Sequence, residues 1–263
     1  MTTQELKLRA FRLYDNLYFI GDETVSVHLF DTEEGLVLID SGFPKMYELI
    51  LDNIKALGFS PENITAILHS HAHIDHFGTT ARLVALSGAK TYMSEIDDDL
   101  FNGPVDLTWA KELKLDPLPP FRADVRVKDG DVFSFGGTSI RCVLTPGHTA
   151  GTLSFFVTLP DGTRAAMFGG AGMNSMTSAF LREYGLSFDC RRAFYEGLAR
   201  VENEEVDLVI GNHPGQSKTL EKMLRILDGD TAILDRDEWA RVIAGFRALI
   251  DRLEAADPAP DAR

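Results

Sequence analysis

The residues best suited to chemistry form a cluster of histidines in the first third of the chain. Positions 69–78 read His-Ser-His-Ala-His-Ile-Asp-His-Phe-Gly, which contains the spacing His71-x-His73-x-Asp75-His76. Imidazole and carboxylate groups are ligands that suit zinc. A turn after a strand can direct His71 and His73 toward one ion while Asp75 and His76 face a second one. The spacing therefore predicts a metal site.

Two later histidines can complete such a site. His148 lies in Thr-Pro-Gly-His-Thr and His213 lies in Gly-Asn-His-Pro, each directly after a predicted strand. Zinc prefers four ligands, and a catalytic site keeps one position open, so each ion needs one more protein ligand than the cluster supplies. The sequence therefore predicts a binuclear site with six protein ligands.

The elements around these residues are typical of an α/β protein. Four β-rich runs separated by turn signals occupy the first forty residues and indicate an antiparallel start. A strand at 64–68 precedes the histidine turn, and a helix is expected at 76–86. Residues 94–123 look irregular and could form a lid or a plain surface excursion. The apolar stripe of a final helix at 235–253 favours core packing over a partner interface. Further strands are predicted at 125–127, 139–144, 152–158, 164–168 and 206–210, and further helices at 44–58, 188–201 and 220–227.

Length and composition narrow the class of protein. The 263 residues are enough for one domain, expected over 1–254, and the Pro/Ala/Asp-rich stretch at 255–263 is expected to be a flexible tail. A formal net charge of −14 disfavours a nucleic-acid partner. The chain shows no apolar run of about 18 residues and no secretory signal at its start, so we expect a cytoplasmic protein without a membrane partner. Cys142 and Cys190 lack metal-ligand spacing and receive no role. The oligomeric state is left open.

The histidine spacing, the Pro-Gly-His-Thr turn and the late histidine resemble the metallo-β-lactamase superfamily over nearly the whole chain. The run Leu-Ile-Asp-Ser-Gly around Asp40 is similar to the family's first motif, in which the aspartate supports the histidine loop from the second shell. A strand-end cap is the alternative role for Asp40. The resemblance implies an α/β fold, a single-domain αβ/βα four-layer sandwich. It also implies two metal sites: His71, His73 and His148 in the first, and Asp75, His76 and His213 in the second.

The sequence departs from most of the family after the strand that ends near Phe168. Gly169-Gly170-Ala171 stand where most members place a metal-bridging aspartate. This difference argues against glyoxalase II, the common lactone hydrolases and the RNA-processing nucleases. The pattern is most similar to the β-lactamase subclass with His/His/His and Asp/His/His zinc sites. Members of that subclass carry serines after this strand, where this chain has Ala171 and Met173.

The resemblance implies a zinc-dependent hydrolase with two ions, and iron or manganese are the alternative metals. The expected reaction cleaves an amide or ester bond in a small, anionic, β-lactam-like cyclic substrate through attack by a metal-bound hydroxide, with Asp75 relaying the proton. Two Zn²⁺ with one carboxylate and one hydroxide leave a charge of about +2, which favours an anionic substrate. Three alternatives remain: a lactonase or thioesterase of the same fold, a non-catalytic metal-binding protein, and an iron-dependent redox enzyme on the same scaffold.

Overall fold

Alternating burial along the strands explains how the chain forms layers. In the computed structural model, which describes residues 7–259, Leu36 and Leu38 of one strand pack toward helices. Val37 and Ile39 of the same strand pack toward a second sheet. A strand whose two faces are both buried must lie between two layers, because its side chains alternate with a period of two.

The first sheet has seven strands that follow one another in chain order. Pairing is antiparallel across the first four strands and parallel across the last four. The strands are β1 (Phe11–Tyr14), β2 (Leu17–Phe19), β3 (His28–Thr32), β4 (Gly35–Ile39), β5 (Ile64–Leu68), β6 (Lys90–Ser94) and β7 (Val125–Val127).

The second sheet has five strands in the order β12-β11-β10-β9-β8. All neighbours are antiparallel except β11 and β12, which are parallel. The strands are β8 (Val132–Phe135), β9 (Thr138–Leu144), β10 (Leu153–Thr158), β11 (Arg164–Met167) and β12 (Leu208–Val209).

Helices cover the outer face of each sheet. Helices α1 (Tyr47–Ala56) and α3 (Thr80–Ser87) pack on the first sheet. Helices α6 (Asp189–Val201) and α8 (Glu238–Ala256) pack on the second sheet. The inner faces of both sheets share one apolar core. The αβ/βα sandwich predicted from the sequence is therefore confirmed. The helices are α1 (Tyr47–Ala56), α2 (Ile74–Phe77), α3 (Thr80–Ser87), α4 (Glu95–Phe101), α5 (Ser178–Glu183), α6 (Asp189–Val201), α7 (Thr219–Leu227) and α8 (Glu238–Ala256).

The helix predicted over 76–86 is wrong as a single element. The chain forms α2 and α3 with a break at Gly78 and Thr79. A Cβ at Gly78 would lie 2.5 Å from the backbone nitrogen of Pro44, so the chain must pass this loop closely. The Thr79 hydroxyl donates a hydrogen bond to the Ser41 carbonyl at 2.6 Å, which ties the break to the end of β4.

The irregular segment predicted over 94–123 is also partly wrong, because it begins with α4. Ser94 caps this helix by accepting a hydrogen bond from the Asp97 amide at 3.0 Å. The elements β6, β8 and α5 were not predicted. Among residues 7–259, no helix combines the length and the apolar character needed to cross a membrane.

The final helix packs into the core, as its apolar stripe predicts. Trp239 is 1% exposed and donates its indole N–H to the Val201 carbonyl at 2.8 Å. The helix continues to Ala256, and the following Asp257 accepts hydrogen bonds from the Ser178 amide and the Arg191 side chain. The end of the expected tail, residues 260–263, lies outside the described residues.

We expect Ile250→Ala to lower the free energy of unfolding by about 2–5 kcal/mol, because it leaves a cavity between α8 and the second sheet. Ile250 is 0% exposed, whereas Leu227 is 51% exposed and provides the matched control, Leu227→Ala. Denaturant titration of both variants measures the difference. Equal effects of the two substitutions would show that α8 does not contribute to the core.

Candidate metal centre

The functional side chains lie where strands of both sheets end at one edge. The end of β4 leads into Asp40, and the end of β5 leads into the histidine turn. From the second sheet, β9 leads to His148 and β12 to His213. The backbone amide of Leu153 donates to the Ser70 carbonyl at 2.8 Å and joins the two sheets at this edge. Residues from distant parts of the sequence therefore meet in one cleft.

Six side chains predicted from the sequence come together in two groups of three. Within each group, the potential ligand atoms all lie within 4.8 Å of one another. The rings of His71 and His76 connect the groups, with 4.1 Å between their centroids. The first group comprises His71, His73 and His148, and the second comprises Asp75, His76 and His213.

The nitrogen Nε2 of His71 provides a test of whether a metal fits. This atom is buried and has no hydrogen-bond partner among residues 7–259. The other ring nitrogen, Nδ1, lies 2.9 Å from the Gly169 carbonyl and donates to it, so Nε2 carries the free lone pair. An unpartnered buried nitrogen is costly unless something binds it. Its position among two other imidazoles fits a zinc ion.

Burial keeps the first group in the form that binds metals. It lowers the pKa of His148 to about 4, and the pKa values of His71 and His73 are also well below their ordinary range. The charges of neighbouring histidines act in the same direction on His71 and His73. All three imidazoles are therefore neutral at neutral pH, as ligands must be.

The second group has a different electrostatic balance. Burial acts to lower the pKa of His76, but Asp75 and Asp40 outweigh burial and raise this pKa to about 10. Burial acts to raise the pKa of Asp75, yet His76, His73 and His213 hold it well below its ordinary value. The Oδ2 atom of Asp75 lies 3.3 Å from Nε2 of His76 and 3.8 Å from Nε2 of His213. The proton on Nε2 of His76 and the Asp75 carboxylate balance one another in charge, and an ion bound by this group would take the place of that proton.

Asp40 links the end of β4 to the histidine turn. Its carboxylate accepts hydrogen bonds from the Ser70 amide at 2.7 Å and the Ser70 hydroxyl at 2.8 Å. It also lies 2.8 Å from Nδ1 of His76. These contacts are those of a residue that orients the turn, which the sequence analysis favoured over a strand-end cap. They fix the ring of His76 with Nε2 directed toward Asp75.

The segment from Gly169 to Gly172 holds the first group through its backbone. The Gly169 carbonyl accepts from His71, and the Gly172 carbonyl lies 2.7 Å from Nδ1 of His148. A Cβ at Gly170 would lie 2.6 Å from the Cδ2 atom of His148, and one at Gly172 would lie 2.9 Å from its Cε1 atom. Side chains are therefore excluded on both flanks of this ring. The glycine run, noted in the sequence only as a missing carboxylate, positions two histidines.

Asp97 is a buried carboxylate that the sequence analysis did not single out. It accepts hydrogen bonds from the Ala72 amide at 3.0 Å, the Gly151 amide at 2.7 Å and the Thr149 hydroxyl at 2.7 Å. Burial raises its pKa, and these three donors oppose that shift. Asp97 thus connects the turn between His71 and His73 to the loop after His148. Its place in a run of three aspartates gave no signal of this role.

The two remaining histidines bind within the protein. Nε2 of His28 lies 2.9 Å from the Gly211 carbonyl, and burial lowers the pKa of His28 to about 4. Nδ1 of His69 lies 2.9 Å from the Tyr92 carbonyl, and its Nε2 lies 2.8 Å from the Thr80 hydroxyl. Both rings have structural partners outside the two groups.

The αβ/βα sandwich and the two histidine-rich ligand groups at one edge of it together indicate a metal-dependent hydrolase. Residues 20–163 match the family model described as "Metallo-beta-lactamase superfamily". The chain belongs to this superfamily.

Solved structures support the assignment over nearly the full chain. A metallo-β-lactamase from Cronobacter sakazakii is 30% identical with a TM-score of 0.83, and the match covers 96% of each chain. BJP-1, a subclass B3 metallo-β-lactamase of Bradyrhizobium japonicum, is 26% identical with a TM-score of 0.82, covering 95% of this chain and 94% of that one. The resemblance to a subclass of β-lactamases predicted from the sequence is therefore confirmed.

Curated relatives match over a shorter stretch. A probable polyketide biosynthesis zinc-dependent hydrolase of Bacillus velezensis, BaeB, is 29% identical over 121 residues, which are 45% of this chain and 41% of that protein. The chain spans about half the length of the curated relatives that it matches.

We expect Gly170→Ala to weaken zinc binding by the first group about 10- to 100-fold, because the added methyl group displaces the ring of His148. Gly215 borders the second group and has open space where a Cβ would stand, so Gly215→Ala is the matched control. Competition with a chromophoric chelator measures both affinities. The packing argument is wrong if the two variants bind zinc equally well.

We expect Asp97→Asn to reduce zinc affinity of the first group by a similar factor, because both carboxylate oxygens accept hydrogen bonds and the amide nitrogen of asparagine cannot. Leaving one buried donor unpaired costs about 1–3 kcal/mol. Asp99 is exposed and pairs with Arg126, so Asp99→Asn is the control and should leave zinc affinity unchanged. Chelator titration and denaturant unfolding separate the two effects. Unchanged zinc binding in Asp97→Asn would mean that Asp97 serves stability alone.

Proposed function

We propose that this protein is a binuclear zinc hydrolase that cleaves an amide or ester bond in a small, anionic, β-lactam-like substrate. The observation that carries the proposal is the pairing of two three-residue ligand groups around the unpartnered Nε2 of His71. His71, His73 and His148 would hold the first ion, and Asp75, His76 and His213 the second. Iron or manganese in the same places is the alternative that elemental analysis separates.

Zinc bound at these groups would supply an acidified water as nucleophile and a Lewis acid for the substrate carbonyl. The protein's contribution is to keep the ligands in place and in the correct protonation state. The hydrogen bonds from His71 and His148 to backbone carbonyls hold their Nδ1 protons, which leaves Nε2 free for the metal. Buried imidazoles fixed in this way need little reorganisation during the reaction.

Asp75 is the side chain that we propose to move the proton. Neighbouring histidines hold its pKa low, so its carboxylate is anionic and would quickly release any proton that it takes up at Oδ2. The residue is 15% exposed, and its Oδ2 atom lies within 4 Å of Nε2 of both His76 and His213. From this place it can receive a proton from water and pass it to the leaving group.

The metal and the reaction can be tested together. Zinc-loaded protein is expected to contain about two ions per chain and to hydrolyse at least one member of a panel of β-lactam, lactone, ester and thioester substrates. His148→Ala should lose one ligand of the first group and more than about 100-fold in hydrolytic rate, since a direct ligand matters more than its supporting residues. Elemental analysis and initial rates measure both, and the unfolding transition checks that the variant is folded.

The panel also separates the alternatives. Turnover of only the lactone or only the thioester would replace the β-lactam-like substrate with that class. Two tightly bound zinc ions without turnover of any member would favour a non-catalytic metal-binding protein. Full activity in His148→Ala would contradict the assignment of the first group.

A further inference from the structure

A cavity of about 360 Å³ opens beside the first group of histidines. His73 and His148 form part of its wall, which the loop at 146–150 continues. The rest of the wall comes from α4, the loop at 107–108, and the stretch from α5 to α6. Its main apolar side chains are Leu100, Phe101, Leu107, Phe180, Leu181 and Leu186. The cavity therefore joins the proposed reaction centre to an apolar space.

The buried polar groups of the wall already have partners within the protein. Asp97 accepts three hydrogen bonds, one of them from the Thr149 hydroxyl. The Ser175 hydroxyl donates to the His148 carbonyl at 2.6 Å. These groups hold the wall together and are not directed toward an occupant. Nothing in them would recognise a polar substrate arm.

The charged group at the rim is likewise paired. Arg192 contacts the carboxylates of Asp189 and Glu196 at 3.1 Å and 3.4 Å. Ser187 donates its hydroxyl to Asp189 at 2.9 Å. Among the described side chains of the lining, the guanidinium of Arg192 is therefore already paired with carboxylates, and the hydroxyls of Ser175 and Ser187 are already donated within the protein.

An apolar occupant matches this wall better than water does. At about 30 Å³ each, roughly a dozen water molecules would fill the space with few hydrogen-bonding partners. Displacing such water with hydrocarbon is favourable. The same volume accommodates a chain of about a dozen carbon atoms, because a methylene group at the packing density of protein interiors takes up slightly less space than a water molecule.

We propose that the cavity binds the unbranched acyl arm of an ester substrate and thereby favours longer over shorter acyl chains until the cavity is filled. The inference rests on the proposed hydrolytic function. The cavity starts at the first group, which would polarise the carbonyl, so the arm attached to the carbonyl carbon enters it and the leaving group faces the second group. The acyl carbon–oxygen bond breaks, water supplies the hydroxyl of the released acid, and its other proton goes to the leaving alcohol.

The apolar lining continues beyond the cavity. Leu100, Leu107 and Leu186 line the cavity and also a neighbouring, more open groove. This shared apolar boundary agrees with an apolar occupant.

The test uses p-nitrophenyl esters from acetate to decanoate with the zinc-loaded protein. We expect kcat/KM to rise by a factor of up to about 4 per methylene group until the cavity is filled. Ala193 lines the cavity from α6, so Ala193→Trp should occupy part of it and flatten the dependence of kcat/KM on chain length. Ala199 lies on the same helix, is exposed and is absent from the lining, so Ala199→Trp should behave as the unsubstituted protein.

Calorimetric binding of alkanoates from butanoate to decanoate gives a second readout without turnover. Affinity should rise with chain length in the unsubstituted protein and in Ala199→Trp, and lose that rise in Ala193→Trp. Ester hydrolysis without chain-length dependence, or alkanoate affinity independent of length, would overturn the proposal. Length-dependent alkanoate binding without hydrolysis of any ester, β-lactam, lactone or thioester of the panel would support the cavity assignment and contradict the proposed function alone.

Discussion

An imidazole ring can bind a metal only through a nitrogen without a proton. The hydrogen bond that one ring nitrogen donates therefore decides that the other nitrogen is the one available to a metal. Four of the five histidines in the two groups have such a bond on Nδ1, which leaves Nε2 toward the cleft. Three of the acceptors are backbone carbonyls, and one is a carboxylate. The pairs are His71 with Gly169, His148 with Gly172, His213 with Thr24, and His76 with Asp40.

Dependence on backbone acceptors makes the cleft a property of the whole sandwich. A backbone carbonyl can hold a ring only if the loop that carries it is fixed, and these loops come from both sheets. Backbone bonds across the cleft fix them: Leu153 donates to Ser70, and Ser26 donates to Asn212. Asp97 adds a side-chain connection between the loops that carry the first group. The orientation of the histidine rings therefore depends on how the two sheets pack together.

Short sequence patterns predicted those strands and ligands whose position depends on neighbouring residues in the sequence. Strands β5 and β7 were predicted at their observed bounds: β5 is a mostly apolar run, and β7 alternates two valines with an arginine. Strand β8 and helix α5 were missed because both are short, and β8 buries only Phe135 among its four residues. The break between α2 and α3 depends on the approach of Gly78 to Pro44, which periodicity does not report. Four of the six candidate ligands could be predicted because they lie in one short motif, and the other two because each is a histidine that follows a strand. Asp97 and the glycine carbonyls could not, because they act through contacts with residues that are distant in the sequence.

The close fit of Gly170 and Gly172 against His148 has an evolutionary consequence. An aspartate introduced into this run would bring not only a carboxylate but also a Cβ, and at either glycine that atom would collide with the ring. The present position of the His148 ring and a bridging carboxylate at either glycine therefore exclude each other. Mutational routes between them must pass through coordinated movement of the loop at 146–150, so substitutions in the two segments should be strongly epistatic.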